Sequence, residues 1–129
     1  MGSLHPPSDG PLARARARIL FVHTYDLDTM VAFYRDTLGL RVSAESAGAF
    51  AFLALPDGEF QLALYPGRTG PRENAPHWFL MIDVEDLGRV VDRLVEAGVT
   101  IGPIEEVPFG RAATVVDPEG NRIELHEPA

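Results

Sequence analysis

The chain contains no cysteine, so a disulfide framework, a thiol nucleophile and a thiolate metal site are all excluded. It also lacks any apolar run of the roughly 18–20 residues that a membrane-spanning helix needs. Positive charge is scarce: 11 Lys and Arg stand against 19 Asp and Glu, for a formal net charge of −8. A surface that acidic repels phosphate backbones and anionic lipid headgroups, which argues against nucleic-acid and membrane partners. There is no P-loop, dinucleotide fingerprint or nucleophile elbow. The first residues, MGSLHPPSDGPLARARA, carry prolines and arginines but no apolar stretch of the signal-peptide kind. Residues 1–16 are therefore expected as a loose tail, and the cytoplasm as the default location.

What the chain has is enough apolar residues, 46% of 129, to build one core. ILFVHTY (19–25) reads as a strand. In DLDTMVAFYRDTLGL, Asp26 or Asp28 is placed to cap a helix. Met30, Phe33, Tyr34, Thr37 and Leu38 recur at helical spacing, and Gly39 suits the left-handed position that ends it. Strands are expected at about 40–46, 49–55 and 60–65, with Pro56, Asp57 and Gly58 turning between the last two.

The pattern then returns. WFLMIDV (78–84) reads as a strand, Asp86 as a cap, and Leu87, Val90, Val91, Leu94 and Val95 as an apolar stripe closed by Gly98. Strands at about 100–107, 111–117 and 121–126 follow, with Asp117 to Gly120 as the last turn. From Asp26 to Gly39 is thirteen residues; from Asp86 to Gly98 is twelve. The reading is an α+β domain over 17–127: module one at 17–65, a Pro/Gly-rich linker at 66–76, and module two at 77–127.

FYRDTLGL at the end of the first helix, the second helix with its Gly98, and the closing DPEGNRIELHE resemble the vicinal-oxygen-chelate (glyoxalase/bleomycin-resistance/dioxygenase) superfamily over about 18–127. The resemblance implies two βαβββ modules with curled mixed sheets around a cavity, helices outside, and a homodimer. It also implies a divalent ion in the enzyme members, held by the first and last strand of each module.

Carried onto this chain, the ligand positions are those seven residues before each helix-opening aspartate and four after each turn glycine. They read Ile19, Leu62, Phe79 and Glu124. Only Glu124 has a donor, so no cofactor is expected. A displaced divalent-metal site of His77, Glu124 and His126 is the alternative. The simpler reading leaves both histidines solvated, at a strand start and near the C-terminus.

By strand alternation, the cavity face is mostly apolar: Ile19, Phe21, Leu62, Phe79 and Met81. Phe60 and Leu64 join if they share Leu62's parity, and Phe50 or Phe52 joins as well. His23, Asp83, Arg122 and Glu124 are its polar groups. Trp78, of opposite parity, is expected to pack beneath a helix. An apolar pocket with a few polar groups suits a small aromatic or partly apolar ligand, sequestered as in the bleomycin-resistance branch. A solid core with no cavity is the competing reading. The alternative function is a lyase- or isomerase-type proton transfer, metal-free or at a displaced site, with Glu124 as base and His23 as shuttle or orienting group. Glu124 paired with Arg122, and His23 merely hydrogen-bonded at a strand end, are the corresponding structural readings.

Overall fold

A computed structural model describes residues 9–56, 60–72 and 78–129. The chain runs β1 (Ile19–Thr24), α1 (Leu27–Ala32), β2 (Arg41–Ser46), β3 (Phe50–Ala54), β4 (Gln61–Pro66), β5 (Phe79–Asp83), α2 (Leu87–Glu96), β6 (Glu105–Val107), β7 (Gly110–Val116) and β8 (Arg122–Pro128). The strands form two four-stranded mixed sheets of the same topology, β1-β4-β3-β2 and β5-β8-β7-β6. In each, the first strand runs parallel to the last and the remaining pairs are antiparallel. This is the βαβββ repeat that the sequence implies.

Both helices start as expected. The Asp26 carboxylate accepts the Thr29 N–H and that of Asp86 accepts the Arg89 N–H, each at 3.1 Å. Both stop at a left-handed glycine, Gly39 (φ 80°) and Gly98 (φ 83°). The extra residue of the first segment has a structural form: after α1 the chain passes through a π-helical turn, Phe33–Thr37, where the Leu38 N–H reaches back five residues to the Phe33 carbonyl. The second helix keeps ordinary spacing, and the Ala97 N–H bonds the Arg93 carbonyl.

The stripes are buried as their period predicts, with Met30, Tyr34 and Leu87 fully enclosed. Val95, at the stripe's edge, is exposed instead. The expected strand at 100–107 is reduced to Glu105–Val107, preceded by a single bridge from Ile101 to Val115. Pro103 lies in between and has no N–H for a ladder.

One core serves both modules. Val22, Leu53, Leu62 and Leu64 of the first sheet and Val115, Ile123 and Leu125 of the second join the helical stripes in one cluster. Burying each such side chain is worth about 1.5–3 kcal/mol. Polar groups fasten the modules where core and solvent meet. The Tyr34 hydroxyl, placed by the π-turn, donates to Asp117 Oδ2 at 2.7 Å. Asp117 also accepts from the backbone of Glu119 and Asn121 and from the Asn121 side-chain amide. Burial, reinforced by the Asp117 carboxylate, pushes the Tyr34 hydroxyl far above the ordinary phenol range. Glu119, from the same turn, accepts the N–H groups of Tyr25 and Asp26 at 2.9–3.0 Å, just ahead of α1. The last turn of module two is thus bolted to the first helix of module one. Trp78 packs on this side too, stacked on Tyr34 with ring centroids 6.1 Å apart.

Candidate functional site: the open faces of two sheets

Each sheet turns one face to its helix and leaves the other open. The strand register sets the open face as rows. In module one the rows are Ile19–Gln61–Ala54, then Phe21–Ala63–Phe52, then His23–Tyr65 with Phe50 beside Tyr65. In module two they are Phe79–Arg122–Val116, then Met81–Glu124–Thr114, then Asp83–His126–Ala112.

Module one's face is a cluster of rings. Phe21, Phe50, Phe52 and Tyr65 lie at centroid distances of 5.4–6.2 Å in edge-on and tilted pairs, arrangements favoured by the ring quadrupole. Ala63, at the centre, lies on the open face yet is 0% exposed: the larger side chains around it cover it. Phe21 itself is 58% exposed. The His23 ring sits 6.3 Å from Tyr65, with Nδ1 3.2 Å from the Pro66 carbonyl oxygen. The strand-end hydrogen bond considered for it is therefore present.

Module two's face is apolar at one edge and charged along β8. Phe79 and Met81 are more than half exposed. Glu124 is half-buried, and no ion pair joins it to Arg122 among the described residues. His126 is not a solvated terminal side chain: it is 8% exposed, and its Nδ1 lies 2.8 Å from Asp83 Oδ1.

The register corrects one expected position. Leu62 does not share a face with Ile19 or Phe79. It pairs with Leu20 and Leu53 on the helix side, is 2% exposed, and belongs to the core. Leu64 goes with it for the same reason, and Phe60 shares their parity. The residue that matches Glu124 is Ala63. The cause lies in the hairpin closures. Leu55 N–H bonds the Phe60 carbonyl across four intervening residues, whereas Asp117 N–H bonds the Asn121 carbonyl across three. One residue of slip transfers a side chain to the other face. Tyr65, Gln61 and Thr114 were missed on the open faces for want of that register. Phe50 and Phe52 both belong there.

At the positions where the family places metal ligands, the side chains are thus Ile19, Ala63, Phe79 and Glu124. Three of them carry no donor atom, and the set does not fit a divalent ion. The displaced set includes His77, which lies outside the described residues. Among the described residues no three His, Asp or Glu side chains gather as a metal site.

Among the described residues, Phe21, Phe79 and Met81 are left more than half exposed on the open faces. A groove of about 1050 Å³ follows the free edge of β5 and α2, past Leu55, Phe60, Met81, Asp83, Arg89 and Val90. It does not include the ring cluster. No helix among the described residues is long and apolar enough to cross a membrane.

Two sheets of this topology, each carrying its helix on one face and presenting the other, define the paired βαβββ class. The family model of the Glyoxalase/Bleomycin resistance protein/Dioxygenase superfamily matches residues 18–125, and the chain belongs to that superfamily. Its fold is similar to that of TnmS3, an antibiotic-binding protein from Streptomyces sp. CB03234, at TM-score 0.78 and 24% identity, over 89% of this chain and 97% of that one. A glyoxalase/bleomycin resistance protein from the same strain matches at TM-score 0.71 and 24% identity, covering 86% and 99% of the two chains. A lactoylglutathione lyase from Agrobacterium tumefaciens matches at 0.70 and 20%, covering 88% and 93%. Comparison with curated proteins gives no match.

Proposed function

We propose that this protein binds and sequesters a small aromatic or partly apolar molecule against the open face of module one, with no resident metal. The ring cluster Phe21–Phe52–Phe50–Tyr65 carries the reading. Four rings on an exposed sheet face contribute nothing to the core they turn away from, and they offer flat, polarisable surface to a planar ligand. The likeness in fold to an antibiotic-binding protein supports the same direction. A second copy of the chain is the proposed roof, since more than half of Phe21, Phe79 and Met81 faces solvent in one copy. The proposed setting is the cytoplasm. A thermal-shift screen of planar aromatic antibiotics, repeated on Phe52→Ala, tests the reading. The expected result is stabilisation of the wild type and an affinity about fivefold weaker in the variant, from lost stacking of about 1 kcal/mol. Equal stabilisation of both proteins would refute the assignment to this face.

One observation favours a second reading, proton transfer by Glu124: its carboxylate lies beside Met81 on an open face with no ion-pair partner among the described residues. His23, the proposed shuttle, stands on the other sheet, with no hydrogen bond to Glu124 among the described residues. Glu124→Gln separates the readings, because it abolishes turnover under the second and leaves stacking intact under the first.

A further inference from the structure

The third row of module two has a polarity that neither reading uses. An ionised carboxylate can only accept hydrogen bonds. In the neutral imidazole, the 2.8 Å contact between Asp83 Oδ1 and His126 Nδ1 therefore places the proton on Nδ1 and leaves the Nε2 lone pair available. Among the described residues His126 makes no other side-chain hydrogen bond, and its Nε2 is not one of the buried polar atoms lacking a partner, so this lone pair reaches solvent. The ring is nonetheless fixed: it belongs to a central strand and is 8% exposed, while Asp83 sits on the edge strand with its side chain 66% exposed. An oriented acceptor held rigidly on an open face is a recognition element, not a core contact.

Its surroundings select what it accepts from. Glu124 lies two residues along β8 on the same face, about 7 Å away at strand rise. Asp83 and Glu124 together repel anionic groups, and Met81 supplies an apolar neighbour between them. Arg122 stands one row further on. We infer that the Asp83–His126 pair is a hydroxyl-recognition site on the open face of module two: it accepts a hydrogen bond from a neutral hydroxyl on an aromatic ligand lying against the exposed Met81 and Phe79, a phenol and not a carboxylate. The site goes beyond the proposed binding at module one: it gives the second face a ligand class of its own. No covalent step is involved; the hydroxyl donates to Nε2 and keeps its proton.

The test uses 2-naphthol, 2-methoxynaphthalene and 2-naphthoate, whose ring systems are the same, with the full-length protein at pH 8 and affinity read by calorimetry. The wild type is expected to bind the naphthol about fivefold or more tighter than the ether, the range of one net hydrogen bond, and the naphthoate more weakly still. In His126→Ala and in Asp83→Ala the naphthol-to-ether ratio should fall to within twofold of one. Asp83→Ala changes an exposed side chain and keeps the ring. Nitrogen NMR of His126 should then show the Nδ1–H tautomer in the wild type and a mixture in that variant, a readout that loss of packing does not produce. A ratio near one in the wild type, or a ratio that survives His126→Ala, overturns the hydroxyl site and leaves aromatic binding standing. Failure of all three probes to bind overturns both together.

Discussion

The two open faces are built on the same backbone pattern and carry opposite chemistry. Row for row, Phe21 corresponds to Met81, Ala63 to Glu124 and Tyr65 to His126. The small residue at the centre of module one leaves room for rings to lean together over it. The carboxylate at the centre of module two holds its row apart and polar. One position, 63 against 124, thus separates a stacking surface from a hydrogen-bonding one, while the helix-side rows of both sheets stay largely aliphatic. Duplicated scaffolds conserve what faces the core and diversify what faces outward, because only the first is bound by close packing.

The largest expected effect removes the joint that both faces depend on. Asp117→Ala strips a buried acceptor from the Tyr34 hydroxyl and from three donors of its own turn, and should cost about 4 kcal/mol in a urea titration. Both modules should melt in one transition if they share a core; two separate transitions would show that they are independent. Next, Ala63→Glu gives module one the central residue of module two. Its carboxylate would enter a position with no solvent and no partner, so a loss of about 3 kcal/mol is expected, together with loss of aromatic-probe binding. Unchanged stability would mean that the rings do not close over position 63.

The smallest effect is electrostatic. Glu127 is held below the ordinary carboxylate value by the Leu87 N–H and then by Arg111. A depressed folded value means that its stabilisation is complete above its ordinary value of 4.5 and is lost as pH falls through the depressed one. Glu127→Gln should therefore lower the urea midpoint at pH 6 but match the wild type at pH 2. A wild-type and variant difference that persists undiminished at pH 2 would remove charge from the explanation.

Most of the fold could be read in the sequence because its signals are local: the capping aspartates, the closing glycines and the two apolar stripes each act within one helix. The near-equal spacing of thirteen and twelve residues supports the repeat, while the π-turn at Phe33–Thr37 that takes up the extra residue was not legible. The face assignments were readable where alternation alone decides, as for Phe21, Phe79 and Met81. They failed at Leu62, where the answer depended on one residue in a hairpin closure. The Asp83–His126 pair was hidden for a related reason. Forty-three residues separate its members, and only the parallel register of β5 with β8 brings them together.

The exposed rings also set the colloidal behaviour of the chain. Phe21, Phe79 and Met81 are apolar surface that the proposed second copy would cover, while a net charge of −8 repels it over longer range. Salt shortens the repulsion to a Debye length of about 10 Å at 0.1 M and about 3 Å at 1 M, and leaves the apolar attraction in place. Added salt is therefore expected to strengthen the proposed contact between copies, the opposite of what a contact held by ion pairs would do; sedimentation at two ionic strengths checks it.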